Sequence, residues 1–222
     1  MESPIVQLLV LAGIAVFLIL RLRSVLGTRE GFEKPPLPRT EQPVPAANSK
    51  HNFEVIDGGP DRDIVDHVPE ASPAAAALAE MKRVEPSFSV TEFLSGARAA
   101  YEMILMGFER GDLNEIRPFL SEEVAESFAS VIDQRADEGL SIDATFVGIR
   151  ELQLIDAAYD PATQEGEVTV RFVADLTWQV RDANDVVIDG DASQIKRQKD
   201  AWTFARRMGT DDPNWQLVAT GE

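Results

Sequence analysis

Residues 168–180, VTVRFVADLTWQV, decide the fold, because apolar and other residues alternate along the whole stretch. Every second residue from Val168 to Val180 is apolar, and the intervening positions include Arg171 and Asp175. A period of two places successive side chains on opposite faces of a strand. The stretch therefore predicts a long strand with one face in a core, and its length favours a curved sheet.

A second alternating stretch, residues 145–159, comes just before the first. Its apolar residues change parity between Ile149 and Leu152, which predicts a β-bulge near Arg150–Glu151. The intervening DPATQEG, residues 160–166, is typical of a hairpin loop. These two stretches therefore predict an antiparallel pair.

Two more strands are predicted towards the C-terminus, in residues 192–208 and 214–222, after a turn in residues 182–193. The part of the chain before the strands has helical periodicity instead. Four helices are predicted there: residues 74–86, a long helix with Thr91 as N-cap and Gly111 as stop, a brief helix that starts at Asp112 and is limited by Pro118, and a helix from Ser121 to Gly139. Helices followed by an antiparallel meander define an α+β fold.

The first 29 residues predict a transmembrane anchor. From Ile5 to Leu20 only Gln7 is polar, and continuing to Leu26 gives about 33 Å of helix, enough to cross a bilayer. A secretory signal is less favoured because Glu2 stands where positive charge is expected and no cleavage site follows. A buried helix is least favoured because the run is apolar on all sides.

Three arginines, Arg21, Arg23 and Arg29, follow the apolar run and are the predicted contacts with lipid headgroups. Basic residues flank membrane helices on the cytoplasmic side, so the part of the chain after the anchor is predicted to lie in the cytoplasm. We therefore expect a single-pass protein of the bacterial cytoplasmic (inner) membrane. Residues 30–73 are rich in proline and acidic residues and predict a disordered tether, which leaves 74–222 as the globular domain.

Composition excludes several functions. A net charge of −17 argues against nucleic-acid binding, and the lack of cysteine excludes disulfides and thiolate chemistry. Both histidines, His51 and His67, fall in the predicted tether, and no nucleotide-binding or hydrolase motif occurs. We therefore expect no enzyme activity, no cofactor and no metal. The alternative is a buried carboxylate acting as a general base, with Asp143, Asp156 and Asp175 as unranked candidates.

Residues 93–128, FLSGARAAYEMILMGFERGDLNEIRPFLSEEVAESF, and residues 200–222, DAWTFARRMGTDDPNWQLVATGE, resemble the Tim44-like domain family. The resemblance covers about residues 75–222 and, with the N-terminal apolar segment, is similar to the membrane-anchored bacterial members. It implies helices on a curved sheet, a cystatin-like or nuclear-transport-factor-two-like cone with an apolar pocket. It also implies inner-membrane association and an adaptor role. The mitochondrial member recruits a chaperone through a long N-terminal region, where this chain has only a proline-rich, acidic tether, so the resemblance does not by itself imply chaperone recruitment.

Aromatic residues of the predicted helix and sheet could line such a pocket, although packing in the core is the simpler interpretation. The candidates are Tyr101, Phe108, Phe172, Trp178, Trp202 and Phe204. A basic run on the closing strands comprises Lys196, Arg197, Lys199, Arg206 and Arg207. It predicts either a site for lipid headgroups or acidic partners or, as the favoured alternative, a solvated strand face paired with acidic neighbours.

These features together predict a membrane-anchored adaptor that presents its domain to the cytoplasm. Its expected partners are membrane lipids and an unidentified protein, a membrane protein or a chaperone, and not nucleic acid. The alternative is a pocket that binds a small ligand or lipid, or an isomerase-like enzyme of similar fold.

Overall fold

The computed structural model describes residues 61–221, which form helices packed against a four-stranded antiparallel sheet. The helices are α1 (Arg62–Val65), α2 (Pro73–Val84), α3 (Val90–Arg110) and α4 (Glu122–Asp137), with a short 3-10 helix at Arg117–Phe119. The strands are β1 (Ser141–Asp160), β2 (Glu165–Arg181), β3 (Val187–Arg207) and β4 (Gln216–Gly221), in the order β1-β2-β3-β4. The predicted α+β class is confirmed.

The three longer helices each begin at a serine. The hydroxyl oxygens of Ser72, Ser89 and Ser121 accept hydrogen bonds from backbone N–H groups of the first turns of α2, α3 and α4. Helix α3 ends at Gly111, whose φ of 72° is a conformation that glycine adopts without strain. The predicted cap at Thr91 is therefore wrong, because Ser89 occupies that position and Thr91 lies inside the first turn.

The sheet follows the predicted pairing, with corrections at its irregular points. Residues 161–164 join β1 to β2, within the predicted loop of residues 160–166, and a register shift between Ile149 and Glu151 confirms the predicted bulge. Two further shifts in β1 had no counterpart in the prediction. Strand β3 begins at Val187 rather than 192, so the turn after β2 is shorter than expected.

The inner face of the sheet, which carries Phe172 and Trp202, packs against α3. Tyr101 of α3 stacks on Phe172 with ring centroids 4.3 Å apart and lies 4.6 Å from Trp202. Tyr101 and Phe172 are fully buried, and Trp202 is nearly so. Each buried aromatic side chain removes a large apolar area from water, so this cluster is the centre of the core.

Residues 61–73, which the sequence assigns to the tether, contact the helices of the domain. Ile64 and Val68, spaced four apart, are buried in the core. Asp63 accepts hydrogen bonds from the N–H groups of Val90 at 2.8 Å and Thr91 at 2.9 Å, at the start of α3. These contacts give the segment both apolar burial and fixed polar partners. The rest of the predicted tether, 30–60, lies outside the described residues.

No helix within residues 61–221 is long and apolar enough to cross a membrane. The predicted anchor, residues 1–29, and its arginines Arg21, Arg23 and Arg29 lie outside the described residues. The anchor and the orientation inferred from it remain predictions.

Candidate functional site

An open groove of about 330 Å³ lies between the start of α3, the end of β3 and the loop before β4. Phe88, Phe93 and Trp215 form its aromatic wall, in which Trp215 contacts the other two rings, and Phe204 lies behind Phe93. The ring centroid of Trp215 is 5.7 Å from that of Phe88 and 4.7 Å from that of Phe93, and Phe93 meets Phe204 at 6.0 Å. The groove therefore has an aromatic wall reaching from the core to the surface.

Small residues of α3 leave the space that forms the groove. Gly96, Ala97 and Ala100 line it at the spacing of one helix face. A Cβ atom added at Gly96 would have no heavy atom within 4 Å, so the groove is open at this point. Its volume is at the lower end of the range of small-molecule pockets, enough for one or two large side chains or a short stretch of acyl chain.

Arg206 lines the groove, but its charge is already paired. Its Nη2 donates to Glu85 Oε1 at 2.8 Å, and its Nη1 donates to the carbonyl oxygen of Asp212 at 3.2 Å. The guanidinium carbon also lies 5.2 Å from the ring centroid of Trp215, within cation–π range. The arginine therefore holds the loop before β4 against the aromatic wall.

Glu85 completes this arrangement on the helical side. Burial alone would raise the pKa of Glu85, but hydrogen bonds from Arg206 and from the N–H of Gly209 outweigh it and hold that pKa below 4.5. Both groups are therefore charged at neutral pH and neutralise each other. The groove is left with an apolar surface and the neutral polar rim of Ser87, Ser89 and Asn214, apart from Glu92 at its edge.

The predicted pocket residues do not form one site. Tyr101, Phe172, Trp202 and Phe204 come together in the packed core, and of the six only Phe204 also lines the groove. Phe108 lies at the other end of α3, with the Phe128 ring centroid at 4.5 Å and the guanidinium of Arg135 at 4.4 Å. Trp178 lies beneath Lys196, whose Nζ is 4.4 Å from the ring centroid.

The basic run is likewise divided between the two faces of the sheet. Arg206 is on the inner face and Arg197 on the outer face, where its Nε donates to Asp175 at 3.3 Å. Arg207 Nη2 donates weakly to Gln164 Oε1 at 3.5 Å, and Lys199 is exposed. The run is therefore not a single contact surface.

The three carboxylates named as possible bases lie in strands β1 and β2, outside the set of residues that line the groove. Asp143 Oδ2 accepts from Gln179 at 3.0 Å, Asp156 Oδ1 accepts from the N–H of Ala157 at 2.9 Å, and Asp175 pairs with arginines. Within residues 61–221, no three His, Cys, Asp or Glu side chains are placed to share a metal ion.

His67, assigned from sequence to the tether, belongs to the described domain. Its Nε2 lies 3.2 Å from the Thr91 hydroxyl, a contact at the start of α3. The contact places the ring beside the α1 segment, which accounts for its presence structurally.

The groove itself was missed because its aromatic residues come from loops and helix starts. Phe88 lies in EPSFSV and Trp215 in DDPNWQ, two short segments in which proline interrupts regular structure. An aromatic side chain next to such an interruption is the local signal that was available. It could not show that the two segments, far apart in the chain, would meet.

These features define an α+β domain of helices on an antiparallel sheet, with an aromatic groove at one end of its core. Residues 74–222 match the Tim44-like domain, and the chain therefore belongs to the Tim44-like domain family. This confirms the resemblance seen in the sequence.

Among solved structures, the chain is similar to the crystal structure of the intermembrane-space region of the chloroplast protein ARC6. The TM-score is 0.33 and the identity 10%, over 49% of this chain and 75% of that one. No curated protein matches the chain.

Proposed function

We propose that the chain is a membrane-anchored, non-enzymatic adaptor whose groove binds a short apolar segment of a partner protein. The observation that carries this proposal is the aromatic wall of Phe88, Phe93 and Trp215 beside the open space over Gly96. Aromatic anchors entering such concave, partly preformed sites dominate the binding energy of many protein interfaces.

The state of the polar groups favours binding over chemistry at this site. Glu85 and Arg206 are paired with each other, so neither is poised to exchange a proton with a bound molecule. Their pairing also rigidifies the groove, because it ties the segment after α2 to the end of β3. A rigid apolar groove loses little conformational entropy when it is filled.

Family membership supports the same conclusion, since Tim44-like proteins are generally non-enzymatic scaffolds. The sequence adds the setting: an apolar anchor in residues 1–29, oriented by Arg21, Arg23 and Arg29, holds the domain on the cytoplasmic face of a bacterial inner membrane. The proposal also includes the curved, cone-like sheet that the family resemblance implies. A soluble partner and a membrane-protein partner would both be within reach of a domain held there.

Gly96 allows a direct test of the groove. Gly96→Trp in the full chain should fill the space without displacing core residues and should abolish partner binding, whereas Gly96→Ala should leave binding intact. Proximity labelling in cells, with a labelling enzyme fused to each variant, compares the proteins captured. Partners retained equally by Gly96→Trp and Gly96→Ala would reject the groove as the binding site.

A bound lipid or small ligand is the competing occupant. Mass spectrometry compares the molecules that co-purify with the full chain and with its two Gly96 variants. We expect no stoichiometric lipid or small molecule that Gly96→Ala retains but Gly96→Trp excludes. Such a molecule would replace the protein partner in the proposal and favour the alternative of a ligand-binding pocket.

The membrane setting is tested separately. Carbonate extraction should leave the full chain in the membrane fraction, and protease should digest the domain only from the cytoplasmic side. Release into the soluble fraction, or protection on that side, would remove the anchor from the proposal while leaving the groove experiment valid.

A further inference from the structure

The outer face of the sheet carries a buried carboxylate held by two arginines. Asp175 of β2 is 3% exposed, although it lies on the face opposite the helices. The Nε of Arg150 donates to its Oδ2, and the Nε of Arg197 donates to its Oδ1 at 3.3 Å. We call these three residues the arginine pair site.

The two arginines come from the strands on either side of β2, and Arg150 is placed at the bulge in β1. The register runs from Ile149 opposite Ala174 to Glu151 opposite Val173, so Arg150 is the extra residue. A bulge re-aims the side chain at the inserted position. Arg150 is thereby turned towards Asp175 from one side, while Arg197, paired directly with Asp175 in β3, meets it from the other.

The charge of the site is not balanced. One arginine would neutralise Asp175, so the second leaves an excess positive charge. Burial alone would raise the pKa of Asp175, but hydrogen bonds from Arg150 and Arg197 outweigh it and hold that pKa below 3.8. The carboxylate is therefore ionised at neutral pH and orients both guanidinium groups.

Both guanidinium groups remain available to a ligand. The side chains of Arg150 and Arg197 are 56% and 55% exposed, and their contacts with Asp175 use only the Nε atoms. Asp175 therefore does not occupy the Nη atoms of either group. Lys199 stands one position further along the same face, opposite Val173, and Glu151 flanks Val173 on the other side.

We propose that the arginine pair site binds a phosphoryl group, either of a soluble phosphate monoester or of a lipid headgroup. Planar guanidinium forks bind tetrahedral phosphate oxygens through paired, charge-assisted hydrogen bonds, which lysine cannot reproduce. Two such forks fixed by one carboxylate are preorganised for a doubly charged anion. A chain with a net charge of −17 otherwise repels anions, so binding would be confined to this face.

Calorimetric titration of the full chain in neutral detergent tests the proposal, with inorganic phosphate and short-chain phosphatidic acid as probes. The double variant Arg150→Lys with Arg197→Lys keeps both charges and a partner for Asp175, so it should fold. We expect its dissociation constant for phosphate to be at least ~10-fold higher than that of the unaltered chain, because the paired hydrogen bonds are lost. Equal binding by the two would overturn the preorganised pair.

Arg171→Gln is the matched control, because it removes a positive charge from β2, the strand of Asp175, and from the same face of the sheet. Arg171 lies four residues from Asp175, roughly 13 Å along the strand, and its Nη2 donates to Gln153 instead. We expect its affinity for phosphate to stay within ~3-fold of the unaltered chain, since a charge at this distance is largely screened. A loss as large as that of the double variant would show general charge attraction and overturn the proposal.

The two probes separate the sources of the phosphoryl group. Similar affinity for phosphate and short-chain phosphatidic acid supports a soluble monoester, whereas binding of phosphatidic acid alone, lost in the double variant, supports a headgroup. Short-chain phosphatidylcholine is titrated as a third probe for comparison. Binding of neither phosphate nor phosphatidic acid, or binding of phosphatidylcholine equal to that of phosphatidic acid, would reject the site. Thermal denaturation of each variant confirms that it is folded before titration.

Discussion

The two faces of the sheet both exclude water near their centres, but they bury opposite kinds of group. On the inner face Phe172 is fully buried between Tyr101 and Trp202. On the outer face Asp175 is almost as inaccessible, and it is covered by two arginines whose own side chains are about half exposed. Equal burial thus results from packing on one face and from charge pairing on the other.

This difference separates the stable part of the domain from the part that can respond to ligands. Apolar burial stabilises in any arrangement that excludes water, whereas a buried carboxylate costs free energy unless its partners stay in place. The inner ion pair of Glu85 and Arg206 is closed by its surroundings, with the Arg206 side chain only 7% exposed. The outer arginines face solvent. We therefore expect the inner face to determine stability and the outer face to determine anion binding.

The largest effect should come from Phe172→Ala. Removing a fully buried ring from the Tyr101–Trp202 cluster leaves a cavity and should lower the free energy of unfolding by about 3–5 kcal/mol. Val173→Ala, at the next residue and on the outer face, removes less buried apolar surface and should cost roughly 1–2 kcal/mol. Urea denaturation of the full chain followed by far-UV circular dichroism measures both. Equal losses would mean that the two faces do not differ as we describe.

Neutralising the two carboxylates compares the ion pairs directly. Glu85→Gln leaves the buried Arg206 without its anion and should lower the free energy of unfolding by about 2 kcal/mol. Asp175→Asn should cost less, because the exposed arginines can be hydrated when the carboxylate charge is lost. The same denaturation experiment ranks the two variants. A larger loss for Asp175→Asn would show that the outer pair supports the fold more than the inner one.

Acid should weaken the inner pair in a defined range. The pKa of Glu85 is held below 4.5 in the folded chain, so its contribution is complete above pH 4.5 and is lost as the pH falls through the lower, folded value. Unfolding free energies measured from pH 6 to pH 3 should therefore fall less steeply in Glu85→Gln than in the unaltered chain. Parallel curves would assign the acid sensitivity to other carboxylates.

High pH tests how well Tyr101 is buried in its cluster with Phe172 and Trp202. Burial, with Asp200 adding to it, raises the pKa of Tyr101 far above 10.0. Because the folded-state pKa is raised, stability is retained below pH 10 and decreases above it, as the unfolded chain ionises first. In a Tyr159→Phe chain, which keeps Tyr101 as its single tyrosine, absorbance at 295 nm should rise only when the protein unfolds. An earlier rise in the folded chain would mean that Tyr101 is accessible.

Most of the fold was predictable because it depends on local patterns. The alternation in residues 168–180 identified the inner face of β2, and the parity change identified the bulge that contains Arg150. The packing of residues 61–73 was not predicted, because Ile64 and Val68 are too few to give a periodic signal. The same segment is held to the start of α3 by Asp63, through a long-range contact that no local pattern reports.

The candidate site was less predictable, because neither functional feature is local. The groove joins Phe88 to Trp215, and the arginine pair joins Arg150 to Arg197, across separations that periodicity does not report. Composition placed Arg197 and Arg206 in one basic run. Their odd separation in one predicted strand places them on opposite faces, but only the structure shows that they pair with different carboxylates.

The smallest predicted effect is at Gly96, where the inner face is incompletely covered. Gly96 lies within α3, where glycine costs up to about 1 kcal/mol relative to alanine. Because an added Cβ atom there meets open space, Gly96→Ala should raise the free energy of unfolding by about 0.5–1 kcal/mol. Gly107→Ala is the matched contrast, since its Cβ would lie 2.8 Å from a methyl group of Ile116 and should remove the gain. Stabilisation by both substitutions, measured by urea denaturation, would show that packing against α3 is loose along its length and that the opening at Gly96 is not specific to the groove.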